Sequence, residues 1–523
     1  MSASMFLKTP EGVSLAPGDG GGLVFQGPWC RLAIREADPG PFAALAATGG
    51  YEDVLARTAL RSSGPAGMAR FYYYLGRLVE RGFVVRSACL DGRLLASLVP
   101  VSPAFRLAAA RAEPVHRLAL SRFAFIRRHE ARACLESPRA HARVVLYDRR
   151  VAELVQALME QPRAEGADDE PLCGLPSEAA EATLDLLWSA GMLTELDVNG
   201  APAEDADPAL RCWEFHDLLF HARSRMGRTD LRHGATYALA GVVAPPPALK
   251  PVSVAEAVPL ERPDLARLER EDPPLAWAME HRCSVREYAA EPMTAGQLGE
   301  FLFRVARVRE VISREILTTA GPMTMDIAPR PYPAGGALYE LEVYAVVRAC
   351  AGIGPGIYYY DPCGHRLVRL RGPTDECGLL LEDAALCAGV DSSTLQVLLI
   401  YSARFPRVSW KYSGLAYSLV LKHVGIVQQS MYLVATAMGL GGCALGAGDS
   451  DLFARAVGTD YYAETSVGEF LLGSVPRGGS APARGLGAGA AEPNGPTDPA
   501  RPAPWLAVIQ PGPSATVRRL GNA

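Results

Sequence analysis

The stretch RPYPAGGALYELEVY, residues 330–344, sets the reading of the chain. Pro331 and Pro333 fix the backbone, Gly335 and Gly336 carry no side chains, and β-favouring residues follow at once. A loop built this way lets backbone come close to a flat ring or a phosphate, although an ordinary loop-to-strand turn uses the same residues. Working outward, residues 276–475 alternate helical and strand-like patterns. A helix is expected at about 294–309, a strand at 341–347 (LEVYAVV), and a hairpin in GIYYYDPCGHRLVRL with Pro362–Gly364 at its tip. Helix 375–388, strand 395–403, the long helix 414–438 and strand 469–475 complete the series. Helices interleaved with antiparallel-type strands predict an α+β sandwich.

Three other segments of this region could carry chemistry. In HRCSVREY (281–288), Arg282, Ser284 and Arg286 alternate, so an extended backbone presents them on one side. Two guanidiniums and a hydroxyl suit a phosphate dianion, and they equally suit a solvated charged turn. MGLGGCALGAGD (438–449) has the spacing GxGGxxxG behind a helix, whereas a dinucleotide fingerprint needs a strand first. A glycine turn packed against a flat cofactor, or a plain helix-ending turn, fits that place better. ARFPRVSWKYSGLAY (403–417) sets Lys411 and Tyr412 at the mouth of the long helix. Lysine occurs only at Lys8, Lys250, Lys411 and Lys422, so 52 − 4 = 48 basic residues are arginine. Of the two, only lysine can serve as a base near neutral pH, which singles out Lys411 against the commoner surface lysine at a helix start.

The bulk numbers narrow the class. A chain of 523 residues exceeds one core and suggests two to four domains. Hydrophobic residues at 49% and charged residues at 21% are globular values, and the net charge of −5 gives no general pull toward nucleic acid or acidic membranes. Eleven scattered cysteines without a CxxC pair predict no metal site and fit a reducing cytoplasm. The N-terminal stretch lacks the pattern of a signal peptide. The most apolar stretch, Ser413 to Gly448, is interrupted by Lys422, His423, Gln428 and Gln429, which argues for a buried helix followed by a glycine loop rather than a membrane span.

Toward the N-terminus, residues 1–100 form an α/β region containing the helical RFYYYLGRLVERGF, and 101–205 is expected as a winged-helix-like domain. There the strand-like ARVVLY leads to PSEAAEATLDLLWSAGMLTEL, with Ser177 as N-cap, Leu184, Leu187 and Trp188 on one face, and Gly191 at the stop. Its exposed flank carries Glu178, Glu181 and Asp185, which repel phosphate and favour a peptide or protein partner over DNA. Residues 206–275 hold the helix WEFHDLLFHARSRMG (213–227) and a Pro-rich linker. His216 and His221 stand five apart, about 500° around a helix, and so do not form a metal pair. The catalytic domain is placed at 276–478, and 479–523 is a low-complexity tail.

Taken in order, these segments resemble the SagB/ThcOx family of azoline dehydrogenases, which share the nitroreductase-like flavin mononucleotide (FMN) fold and act on ribosomal peptides. The phosphate arm of that family is similar to Arg282, Ser284, Arg286 and Tyr288. Its Pro-Ser-Gly-Gly turn and LEVY strand look like Pro333 to Tyr344, with Ala334 where serine is usual. Trp410-Lys411-Tyr412, then Gly425, Gln429, Tyr432, Leu433 and Gly439–Gly441, resemble its W-K-Y and helix pattern. The resemblance implies FMN contacts from Arg282, Ser284, Arg286, Pro333, Ala334, Gly335, Gly336, Gln429, Leu440, Gly441, Gly442 and Arg477, with Lys411 and Tyr412 catalytic. It implies a homodimer with flavin at the subunit interface and an azoline-containing precursor peptide as substrate, with a cyclodehydratase as a further partner. Two competing readings are an NAD(P)H-dependent nitro- or quinone reductase and a peptide-binding scaffold.

Overall fold

The computed structural model describes residues 3–476 except 11, 19–21, 28–29, 36–37, 109–116, 161–171 and 254–255. The expected tail and Arg477 lie outside the described residues. The chain divides into two compact units. One comprises Met1–Ala244 with Leu317–Gly321 and Ser409–Ser418, and the other Pro245–Ile316, Pro322–Val408 and the chain from Leu419 on.

In the first unit, seven antiparallel strands run in the order Gly50–Tyr51, Ala3–Lys8, Val85–Leu90, Arg93–Pro100, Ala142–Leu146, Arg132–Glu136 and Phe125–His129. Arg93–Pro100 pairs with Ala142–Leu146, so one sheet crosses position 100, where the sequence suggested a boundary. The helix Glu52–Glu80 breaks at Ser63 and Gly64, because Gly64 takes φ +66° just before Pro65. Leu184 and Leu187 of helix Ser177–Ser189 are buried as expected. The cap position is Pro176 rather than Ser177, and no side chain caps the helix. Buried carboxylates brace the segment that follows. Glu204 accepts from the Ser121 hydroxyl at 2.7 Å and the Arg122 amide at 2.6 Å and pairs with Arg139, while Glu136 pairs with Arg127 and Arg223. Each carboxylate is thereby compensated, as a buried charge must be.

The second unit carries the α+β sandwich. Its strands are β1 (Ala257–Pro259), β2 (Leu341–Val347), β3 (Gly356–Asp361), β4 (Arg366–Arg371), β5 (Val397–Arg404), β6 (Leu440–Leu445) and β7 (Glu464–Ser474), in the order β1-β4-β3-β2-β5-β7-β6 and antiparallel throughout. Helices α1 (Ala295–Ala306), α2 (Asp375–Ala388), α3 (Ala416–Ala437) and α4 (Ser450–Val457) cover both faces. Leu380, Leu381 and Ala384 of α2 and Phe453 of α4 pack with Tyr344, Leu398 and Leu471 on one face. On the other, Phe470 stacks with Phe301 of α1 at 6.4 Å and meets Tyr432 of α3 edge-on at 5.1 Å. The backbones of α3 and β7 come so close that a Cβ on Gly468 would lie 2.9 Å from Val424 and 2.4 Å from the Tyr401 ring.

Two segments differ from the sequence expectation. The glycine loop after the long helix is an edge strand: Gly439 ends the helix at φ +67°, and β6 follows immediately. The Pro-rich segment is not a free linker. Buried Arg404 and Arg407 donate to the Pro247 and Pro246 carbonyls at 2.7 and 2.5 Å, and β1 extends the sheet beside β4. Sequence pattern missed both because neither three-residue β1 nor glycine-rich β6 has β propensity of its own; their pairing partners impose the conformation.

Glu469 on β7 is 7% exposed, and burial pushes its carboxyl from 4.5 up to about 7 against one hydrogen bond from Ser466. The folded state thus holds this proton more tightly than the unfolded chain. Its stabilising effect is complete below about pH 4.5 and is lost as pH rises through 7, a span of roughly 3 kcal/mol. Glu469→Gln is expected to flatten the fall of Tm across that window, as read by thermal unfolding in a pH series. Overlapping wild-type and variant curves would contradict this.

Candidate functional site

The Pro-Ala-Gly-Gly segment makes a single tight turn in front of β2. Gly336 takes φ +64°, and Ala337 and Tyr339 follow at +57° and +47°, so three residues lie in the left-handed region that only glycine adopts freely. Pro333 and Gly336 are exposed, while Tyr332 and Leu338 are buried and anchor the turn. The Gly335 amide donates to His423 Nε2 on α3 at 2.6 Å. With Nε2 accepting, the ring proton belongs on Nδ1, which donates to Glu340 Oε1 at 2.7 Å. Glu340 and His423 are both buried. The sequence reading included neither in the site. The available signals were a lone histidine within an apolar helix and a glutamate opening the LEVY strand.

The 282–288 arm runs beside the β6 edge. The Val285 amide donates to the Gly442 carbonyl at 2.9 Å and the Ala289 amide to Ser474 at 3.0 Å. Tyr432 organises the start of the arm: its hydroxyl accepts from the Ala444 amide and meets the Ser284 hydroxyl, both at 2.8 Å, and the Arg282 guanidinium lies 5.1 Å from its ring. Arg282 is half-buried and Arg286 exposed, and neither meets a carboxylate among the described residues. Two forked cations without a counter-charge are well equipped to take an oxyanion.

The side-chain space beside the β6 glycines is taken by protein. A Cβ on Gly441 would lie 2.7 Å from Val285 and one on Gly442 2.5 Å from Phe470, so protein side chains fill the space these residues leave. Leu440 is buried and Gln429 lies exposed on α3. The structure thus gathers Arg282, Ser284 and Gly442 around one strand edge and ties Gly335 to α3.

Lys411 and Tyr412 belong to the first unit. Tyr412 pairs with Ala235 in a two-stranded ribbon, the Tyr237 amide donates to the Lys411 carbonyl at 3.1 Å, and the Thr236 and Ser413 hydroxyls meet at 2.7 Å. Trp410 is buried beneath, its indole donating to the Val243 carbonyl at 2.8 Å and its ring lying edge-on to Tyr237. The half-buried Lys411 amine stands 5.6 Å from the Tyr237 ring and 5.4 Å from the Tyr412 ring, with no carboxylate partner among the described residues. Both aromatic faces lie within cation–π reach of the amine. Tyr237 was not foreseen; its φ of +49° marks it as a constrained residue.

A model of the nitroreductase family matches residues 279–474, one of the cyanobactin oxidase ThcOx matches 118–230, and one of the ThcOx helix-turn-helix domain matches 1–109. The helix-turn-helix match covers the N-terminal region and only the first nine residues, 101–109, of the stretch where a winged helix was expected. A candidate nitroreductase of Methanocaldococcus jannaschii, MJ1384, is 31% identical over 192 residues, covering 37% of this chain and 85% of that protein. The microcin B17-processing protein McbC of Escherichia coli is 32% identical over 119 residues, covering 21% of this chain and 42% of McbC. Among solved structures, the E. coli microcin synthetase McbBCD complex with truncated pro-MccB17 bound matches at 18% identity and a TM-score of 0.30, over 49% of this chain and 91% of that one. The chain belongs to the nitroreductase family, in its SagB/ThcOx-type branch, and is an oxidoreductase. Among the described residues, no helix is long and apolar enough to cross a membrane.

Replacing His423 would leave the Glu340 carboxylate buried without its partner. His423→Leu is expected to lower unfolding stability by roughly 3 kcal/mol in urea titrations. A loss below about 0.5 kcal/mol, within the range of surface changes, would show that the imidazole does not tie the turn.

Proposed function

We propose that the protein oxidises thiazoline or oxazoline rings of a ribosomally made precursor peptide to thiazoles or oxazoles, with FMN as its cofactor. The observation that carries this reading is the Lys411 amine, held between two tyrosine rings and free of any carboxylate partner among the described residues. An amine so placed can take a carbon acid's proton, a role no arginine can fill. The names of the relatives point the same way: one family model is that of a cyanobactin oxidase, and one relative processes microcin B17.

The donor set suits FMN. Arg282 and Arg286, both without an acidic partner among the described residues, would grip the phosphate with the Ser284 hydroxyl. The Pro333–Gly336 turn, exposed at Pro333 and Gly336, would lie against the ring system, offering backbone where Ala334 replaces the usual serine. Gln429, Leu440, Gly441, Gly442 and Arg477 are the further contacts proposed. When bound, FMN supplies the acceptor for the hydride leaving the azoline ring carbon. Lys411 takes the acidic ring proton α to the carbonyl, and Tyr412 orients or shares it. Proton and hydride together account for the two hydrogens lost on aromatisation.

Two copies of the chain would complete the site. The outer face of α3 presents Leu421, Lys422, Gly425 and Gln429 to solvent, and a Cβ on Gly425 would meet nothing within 4 Å. A glycine in mid-helix costs about 1 kcal/mol relative to alanine, and a second helix packing closely against it would give it a purpose. The precursor peptide and a cyclodehydratase are the other partners proposed.

Lys411→Ala is expected to give a folded yellow protein at least a hundredfold slower in azoline oxidation; retained turnover would remove the base assignment. Arg282→Ala should be purified with little or no flavin, and tight FMN retention would contradict the phosphate role. Rapid NADPH oxidation with nitroaromatics and no azoline turnover would favour a generic reductase. By light scattering, the wild type should have the mass of two chains and Gly425→Arg that of one; a monomeric wild type would sink the dimer.

A further inference from the structure

A second cationic site lies at the tip of the β3–β4 hairpin. An open cavity of about 520 Å³ is lined there by Arg262, Arg307 and Arg309 together with Pro362, Cys363 and His365. Glu310 is the one carboxylate on its wall. None of the three arginines meets a carboxylate among the described residues. The Arg307 guanidinium spends one donor on the Phe303 carbonyl at 3.0 Å and lies 4.6 Å from the Phe303 ring, which leaves the rest of its fork unused.

His365 adds shape and no charge. It is buried, its Nδ1 meets the Tyr360 hydroxyl at 2.9 Å and its Nε2 the Glu261 carbonyl at 3.0 Å. Burial holds its pKa below the ordinary value, and nearby Arg262 acts in the same direction. Phe303 meets the imidazole edge-on at 4.9 Å and closes the floor. Burial, then repulsion from Arg309, likewise lowers the pKa of Arg307. Three like charges against one carboxylate raise the local potential, and a bound anion relieves it. The volume is that of a small-molecule site.

The site is distinct from the 282–288 arm. That arm follows β6, at one edge of the sheet, and four strand spacings separate β6 from β3, roughly 19 Å. Nothing in the flavin chemistry calls on Arg262, Arg307 or Arg309.

We propose that this cavity binds a small organic anion through a phosphate or carboxylate group held by Arg307 and Arg309, with Arg262 supporting it. The full-length protein, saturated with FMN and at chloride-matched ionic strength, would be titrated with inorganic phosphate and separately with citrate. The readouts are calorimetric binding and protection of Cys363, exposed on the cavity wall, from alkylation in peptide mapping. At least one anion is expected to bind and to protect Cys363. Arg309→Gln, at an exposed position, should weaken the binding roughly tenfold or more and leave the flavin spectrum unchanged. The tighter of the two titrants distinguishes a phosphate source from a carboxylate source. Absence of binding by both anions, or affinity and protection equal in wild type, Arg309→Gln and Arg262→Gln, would overturn the proposal.

Discussion

One imidazole ties the parts of the sandwich that matter most. His423 accepts from the Gly335 amide and donates to the buried Glu340 carboxylate, so the turn, the start of β2 and the long helix α3 hold one another in register. A buried hydrogen-bonded chain of this kind restricts the turn to one arrangement, although the second Glu340 oxygen, Oε2, is buried without a hydrogen-bond partner among the described residues. The same helix carries Tyr432, nine residues further on, which organises the Arg282–Ser284 arm. Nine residues are about 13 Å of helical rise and two and a half turns, so the two side chains leave α3 on opposite flanks. The turn and the arm, proposed to hold the two ends of one cofactor, are thus spaced by a single rigid element.

Arginine chemistry explains much of the remaining architecture. Arg407 is buried and donates to three carbonyls, those of Leu338, Pro246 and Asp326, without an ion pair. Burial, reinforced by nearby Arg404, pushes its guanidinium down to about 10. A lysine could not span three acceptors with a planar fork, and the Pro-rich segment would lose its seat on the sheet. Lys250 instead takes a compact site, donating to the Tyr344 hydroxyl and the Glu464 carboxylate at 2.6 and 2.5 Å. Of the four lysines in the sequence, one is therefore structural and another is the amine proposed for catalysis.

The strands and helices of the sandwich were legible where hydrophobic period and turn chemistry agreed. LEVYAVV, the hairpin with Pro362–Gly364 at its tip, the helix at 375–388 and the long helix all stand within a few residues of their expected bounds. The hairpin Ile312–Thr318 with Gly321–Ile327 was missed: its first strand is largely exposed without an apolar alternation, and the alternating Met323, Met325 and Ile327 of the second make too short a signal alone. Strand β6 looked like a loop because glycine pattern is silent about pairing, and the spaces at Gly441 and Gly442 are filled by Val285 and Phe470, distant in sequence. At the site, residue types with unusual chemistry stood out locally, as with the alternating arginines and Lys411. His423, Glu340 and Tyr237 did not, because their roles come from contacts made across 83 or more positions of chain or from a strained φ.

The 282–288 arm and the Pro333–Gly336 turn are together proposed to hold a flavin. The visible absorption spectrum of the purified full-length protein, recorded as isolated and again after incubation with FMN and removal of the excess, tests this most directly. A yellow protein with the two bands of oxidised flavin and about one FMN per chain is expected. A colourless protein that returns from incubation still colourless would contradict it.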